Sequence, residues 1–124
     1  MSPWDALLLS TRLAAGRVAW VDRQLAEAVA AHDGDAASST VRRWLDESRR
    51  ERSLLARTAK AAVDAGVAER LVRQVELEGR LVAEVLGRTL DALELTAEQR
   101  QTAFAVAHRE LLQLETGEVE GEAS

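Results

Sequence analysis

The only proline in this chain of 124 residues is its third residue, so nothing after it forbids a helix outright. Ala, Leu, Val, Arg and Glu dominate the composition, which is typical of long helices that pack through aliphatic side chains. Signals for strands are nearly absent, because there is no tyrosine, no isoleucine and no Asn-Gly or Asp-Gly turn between alternating apolar runs. The sequence therefore predicts an all-α protein.

The start of the chain carries the signals of a helix N-terminus. Pro3 suits the first helical position, and Ser2 is placed to act as the N-cap. The helix is expected to end near Ala31, because residues 32–40 contain a glycine, two aspartates and a run of small hydroxyl residues that favour turns and caps. This segment is the only clear linker inside the chain, and a second helix is expected to begin within 38–40.

A capping box predicts the start of the last helix, with Thr96 as the N-cap and Gln99 three residues later. It is expected to run to about residue 115. Residues 116–124 are acidic, contain two glycines and are predicted to be disordered. The predicted organisation is thus one helical oligomerisation domain over 1–115 and a disordered acidic tail over 116–124.

The stretch 41–93 has no proline and no turn cluster. Stepping alternately by four and three residues from Leu54 traces an apolar seam with the spacing of a coiled coil, and it stays in phase through Gly66 and Gly79. We therefore predict a bundle built on one long central helix, bent near Gly66, with an N-terminal and a C-terminal helix packed on it. The alternative is a helical hairpin at 65–67 in which Gly66 is the C-cap residue.

A helix of that length would expose more apolar surface than the rest of the chain can cover. Part of the seam is therefore expected to find partners in other copies of the chain. Small residues on the seam would let a neighbouring helix approach closely. The predicted oligomer interface consists of Ala61, Ala65, Ala68, Val72, Val75, Gly79, Val82 and Leu86.

Basic residues are concentrated in one segment of a chain whose net charge is −5. Arg42, Arg49 and Arg52 share one face of a helix, and arginine on a rigid helix is suited to phosphate contact. The alternative is a solvated face of ordinary helix-surface ion pairs. The predicted DNA-contacting residues are Arg42, Arg43, Arg49, Arg50, Arg52 and Arg57.

No set of residues in the sequence supports catalysis. The chain has no cysteine, and His32 and His108 have no second ligand at metal-binding spacing. We therefore predict a protein that is not an enzyme and holds no metal or cofactor. Its three tryptophans are expected to be core or subunit contacts rather than base-stacking platforms. The lack of a membrane-span or signal-peptide pattern makes the cytoplasm the expected location.

The stretch 59–73 (AKAAVDAGVAERLVR) and its continuation to 95–99 (LTAEQ) resemble proteins of actinobacterial phages and prophages that are often described as terminase small subunits. The opening 3–8 (PWDALL) and 15–20 (AGRVAW) are similar to their first helix, so the resemblance spans 3–115. The chain departs from them at Ala97, where they usually have proline, and in lacking an N-terminal extension with cysteines and histidines.

Small terminases form rings, recognise viral DNA and deliver it to a large motor subunit. The resemblance therefore implies a homo-oligomeric ring that contacts double-stranded DNA and the large terminase subunit in the cytoplasm of a bacterial host. The alternative is a helical homo-oligomeric scaffold or regulatory protein without a nucleic-acid role. No membrane partner is expected, because no apolar run approaches the roughly 20 residues that a membrane span needs.

Overall fold

A computed structural model describes the backbone of residues 2–123 and the side chains of residues 2–110. This part of the chain contains four helices and no strand, so the all-α prediction is confirmed. The helices are α1 (Pro3–Ala31), α2 (Ser39–Asp64), α3 (Glu69–Ala92) and α4 (Ala97–Ala123).

The predicted signals at the start of α1 are confirmed. Pro3 occupies the first turn, and Ser2 Oγ accepts a hydrogen bond from the Asp5 backbone N–H at 3.1 Å. The helix ends at the predicted linker, where Asp33 and Gly34 both adopt positive φ angles. The backbone therefore leaves the helical conformation within this segment, and α2 begins directly after it.

The prediction of one continuous helix over 41–93 is wrong, and the hairpin alternative describes the fold. Helix α2 ends at Asp64, and Gly66 takes a φ of +97°, which residues with a side chain rarely adopt. The Gly66 N–H bonds to the Val63 carbonyl at 2.9 Å and the Val67 N–H to the Ala62 carbonyl at 3.0 Å. These two bonds form a Schellman motif, which satisfies the last carbonyl groups of α2.

Helix α1 lies between α2 and α3, which pack mainly on α1 rather than on each other. Ser48 of α2 donates a hydrogen bond to Asp22 at 2.9 Å, whereas Trp4 Nε1 reaches the carbonyl of Ala65 at the far end of α2, so these two helices are antiparallel. Arg12 of α1 pairs with Glu78 at 3.2 Å, and Arg23, further along α1, pairs with Asp91, so α3 runs parallel to α1.

Helix α4 begins with the predicted capping box. The Thr96 N–H donates to Gln99 Oε1 at 2.9 Å, and the Gln99 N–H donates to Thr96 Oγ1 at 3.1 Å. The helix is held by Phe104, whose ring stacks on Trp20 with centroids 4.2 Å apart, and this pair lies in a buried cluster with residues of α3. The core role predicted for Trp20 is thus confirmed. Helix α4 extends to Ala123, past the end predicted near residue 115. The side chains of residues 111–124, which include the predicted disordered tail, lie outside the described residues.

Candidate interaction surfaces

The part of the chain with described side chains offers no obvious chemical centre. No three histidine, aspartate or glutamate residues in it are placed to hold a metal ion. Likewise, none of the described helices combines the length and the apolar character needed to cross a membrane. The features that stand out are instead two unlike surfaces, one on α2 and one on α3 and α4.

The first surface is the basic face of α2, which we define as Arg42, Arg49, Arg50 and Arg57. All four side chains are exposed, because the opposite side of the helix is buried against α1. Arg50 forms an ion pair with Glu47 at 2.9 Å and Arg49 a longer one with Asp46 at 3.7 Å. Exposed pairs of this kind contribute little to stability, so both guanidinium groups are available to another anion.

The other two arginines of the basic face have no carboxylate partner among the described side chains. Arg42 and Arg57 each stand within about 80° of Arg49 around the helix, at 100° per residue. Arg43 is also exposed, and its guanidinium lies 5.5 Å from the ring centroid of Trp44. The basic face therefore offers cationic groups that the fold itself does not neutralise.

Arg52 has a different role from the one that the sequence suggests. Its guanidinium is paired with Asp22 of α1, the carboxylate that also accepts the hydrogen bond from Ser48. Arg52 of the predicted ridge is therefore paired across two helices, but its side chain remains 60% exposed. Arg57 lies further along α2 and is exposed on its outer face.

The predicted oligomer interface is divided between the interior and the surface. Val72 and Val75 are each only 3% exposed, and Gly79 is buried where α3 meets α1. These three residues pack within the chain, so they are not available to another copy. The predicted residues near the hairpin, Ala61, Ala65 and Ala68, are exposed, and so are Val82 and part of Leu86.

The second surface is an apolar face of which the predicted interface included only Val82 and Leu86. It follows a row of residues spaced by four along α3, which we call the apolar row: Leu77, Leu81, Val85, Thr89 and Leu93. The four aliphatic side chains in it are 50–63% exposed. Between α3 and α4, next to this row, lies an open groove of about 600 Å³, lined by Leu81, Val82, Val85 and Leu86 and across from them by Ala107.

His108 lies where α4 meets α1, half-buried and stacked on Phe104 with ring centroids 5.3 Å apart. Burial lowers the pKa of its imidazole, and the nearby charge of Arg17 lowers it further. A hydrogen bond with the backbone of Leu13 acts in the opposite direction. The net effect is that the folded protein favours neutral His108.

This pKa shift predicts a pH dependence of stability. The unfolded chain binds the proton of His108 more readily than the folded one, so the stabilisation is complete above pH 6.5 and is lost as the pH falls through the lowered folded pKa. We expect the thermal midpoint of the wild type to fall more steeply between pH 7 and pH 5 than that of His108→Gln, as measured by circular dichroism. Parallel profiles would contradict this assignment.

Compared with protein-family models, with curated proteins and with solved structures, the chain matches none of them. The fold and surfaces of the chain therefore define the class of protein. It is a helical protein with a basic face on one outer helix and an uncovered apolar face on another. Such a pair of surfaces is suited to binding and assembly.

Proposed function

We propose that this chain is a homo-oligomeric, DNA-contacting subunit of viral DNA packaging, similar in role to a small terminase. Several copies assemble, the basic face of α2 contacts the phosphates of double-stranded DNA, and the large terminase subunit is the further partner. Its place of action is the cytoplasm of a bacterial host. The resemblance over 3–115 supplies the packaging role, and the two surfaces support the assembly and the DNA contact.

The observation that carries the proposal is the placement of the basic face. Helices α2 and α3 pack on different faces of α1. Assembly through the apolar face of α3 and α4 therefore leaves the arginines of α2 accessible. Each added copy repeats them, and a repeated weak contact gains strength by multivalency.

The net charge of −5 does not oppose this role. Attraction to DNA depends on the cations within roughly 8 Å of the phosphates at physiological salt, because charges further away are screened. On the outer side of α2, Arg42 and Arg57 pair with no described carboxylate, and Arg49 has only a long, exposed pair. These three residues are therefore the ones expected to exchange counterions with DNA.

The proposal predicts how DNA affinity depends on salt. We expect double-stranded DNA to bind with a logarithmic salt slope that becomes shallower by about 0.9 for each phosphate contact removed. Replacing Arg42, Arg49 and Arg57 together with glutamine should reduce the slope and weaken binding at low salt. Fluorescence anisotropy with a labelled duplex across a salt series measures both quantities.

A matched control separates local contact from overall charge. Changing Arg17, Arg73 and Arg109 to glutamine removes the same charge from exposed positions on α1, α3 and α4, and it should leave the slope nearly unchanged. Equal effects of the two triple variants would contradict a specific role for the basic face. A wild-type protein without salt-dependent DNA affinity would overturn the packaging function.

The second candidate function is a helical homo-oligomeric scaffold or regulatory protein that binds no nucleic acid. It is favoured by the ion pairs of Arg50 with Glu47 and of Arg52 with Asp22, which are ordinary features of a solvated helix. In that case the protein still assembles, but its DNA affinity is negligible at every salt concentration.

A further inference from the structure

We propose that two copies of the chain associate through the groove between α3 and α4, with their α3 helices antiparallel and Val85 at the twofold axis. The contact buries the middle of the apolar row of each copy, Leu81, Val85 and Thr89, in a four-helix arrangement of two α3–α4 hairpins. This inference deepens the proposed function: it rests on its homo-oligomeric part and is independent of its DNA contact.

The fold leaves a large amount of apolar surface uncovered. Val85 is 63% exposed and Leu81 50%, although both belong to α3, whose opposite side is packed on α1. Single exposed apolar residues are normal on a protein surface, but a contiguous row along one helix marks an interaction site. The adjoining groove is mostly apolar, with Thr89 and Glu110 as its polar lining residues, and it is open to solvent.

The charge of α3 favours a second copy as the occupant. Helix α3 carries four arginines and five carboxylates, so it is close to neutral within a chain of net charge −5. Two copies can therefore bring these helices together without the repulsion that their whole charge would produce. A strongly charged partner would find no matching field on this face.

The direction of the two helices follows from the position of Val85 in the row. With Val85 at the axis, an antiparallel pair places Leu81 opposite Thr89 of the second copy. In an in-register parallel pair, each charged residue of α3 would lie beside the same residue of the second copy, so like charges would repel each other. The antiparallel pair avoids this repulsion. The antiparallel pair also sets the two helix dipoles in opposite directions, which is favourable.

The size of the face is that of a small specific contact. With Val85 at the axis, residues 78–92 of the two α3 helices overlap, and at 1.5 Å per residue and about 10 Å of width each copy contributes roughly 225 Å². The described part of α4 adds roughly 200 Å², so two copies bury roughly 850 Å², which lies among the smaller protein interfaces. Because such a contact is isologous and closes at two copies, larger assemblies must contain an even number of chains.

Cysteine cross-linking tests this geometry directly, because the chain has no cysteine of its own. Val85→Cys introduces one thiol per copy at the proposed axis, where the two Cα atoms come within disulfide range. We expect mild oxidation to convert most of this variant into a covalent dimer on a non-reducing gel. Because Val85 is exposed in the fold, the substitution should leave the helices intact, and circular dichroism would verify this.

Two control cysteines decide the arrangement. In the antiparallel pair the two copies of Leu77 lie about 24 Å apart along the helices, so Leu77→Cys should not cross-link, whereas an in-register parallel pair would cross-link at both positions. Ser53→Cys, exposed on the outer side of α2, reports random collision. If Val85→Cys forms no more dimer than Ser53→Cys, or Leu77→Cys forms as much as Val85→Cys, the inference is overturned.

The outcome also separates this inference from the proposed function. An oligomer detected by light scattering, together with no cross-link at Val85, would overturn the inference and leave the homo-oligomeric function standing on another surface. A monomer at every protein concentration would overturn both. The salt dependence of DNA binding is decided by the variants of α2, and the cysteines of α3 do not affect that result.

Discussion

Replacing Gly79 with alanine is expected to lower the free energy of unfolding by about 2 kcal/mol, even though alanine is the better helix former by about 1 kcal/mol. A Cβ atom at Gly79 would lie 2.2 Å from the backbone carbonyl oxygen of Arg12 and 3.3 Å from the Cβ of Ala15. A backbone atom cannot turn away as a side chain can, so α1 and α3 must separate. The thermal midpoint should fall by roughly 5–10 °C, measured by circular dichroism.

Gly87→Ala is the matched control on the same helix. A Cβ atom there would lie 2.6 Å from Arg23, but the near atom is the guanidinium end of a flexible side chain. That group can move aside, so the clash and the gain in helix propensity should leave stability within about 1 kcal/mol of the wild type. If Gly79→Ala were as stable as Gly87→Ala, the close approach of α1 and α3 at Gly79 would be wrong.

The elements whose signals are local were predictable from the sequence. Ser2 and the pair Thr96 and Gln99 satisfy backbone groups within one turn of themselves, so their identity and spacing are enough to place a helix start. The linker over 32–40 was predictable for the same reason, since its small polar residues and Gly34 favour turns regardless of what packs around them.

The hairpin at Gly66 was mispredicted because its turn happens to preserve the phase of the apolar pattern. Residues 65–68 occupy about the same number of positions as one helical turn, so a seam stepped by four and three continues across them. Periodicity alone cannot distinguish this case from a continuous helix. The decisive features are the positive φ of Gly66 and the hydrogen bond from the Val67 N–H to the Ala62 carbonyl. Both are properties of the folded backbone, so the spacing of apolar residues does not reveal them.

The surfaces were partly predictable. The concentration of arginines on α2 is visible in the sequence, but the contact of Arg52 with Asp22 depends on how α1 and α2 pack. On α3, the sequence reasoning took the residues of one seam as the interface between copies. The fold uses Val72 and Val75 of that seam to cover α1, and it leaves the row through Val85 uncovered. A helix with two apolar faces cannot be assigned until its intramolecular neighbour is known.

Our central claim is that this chain assembles through the uncovered face of α3. Placing a carboxylate at the proposed axis, by Val85→Glu, sets two like charges against each other where apolar surface should be buried, and this costs several kcal/mol of association free energy. The variant should therefore become a monomer. Val29→Glu makes the same change at an exposed valine of α1, 39% exposed, and should leave the assembly intact.

Light scattering after size-exclusion chromatography measures the mass of each protein directly. For the wild type and for Val29→Glu we expect an even multiple of the 13.5 kDa chain mass. For Val85→Glu we expect the mass of a single chain, 13.5 kDa, with an unchanged circular dichroism spectrum. A wild-type protein that elutes as a monomer, or a Val85→Glu variant that keeps the wild-type mass, would contradict this claim.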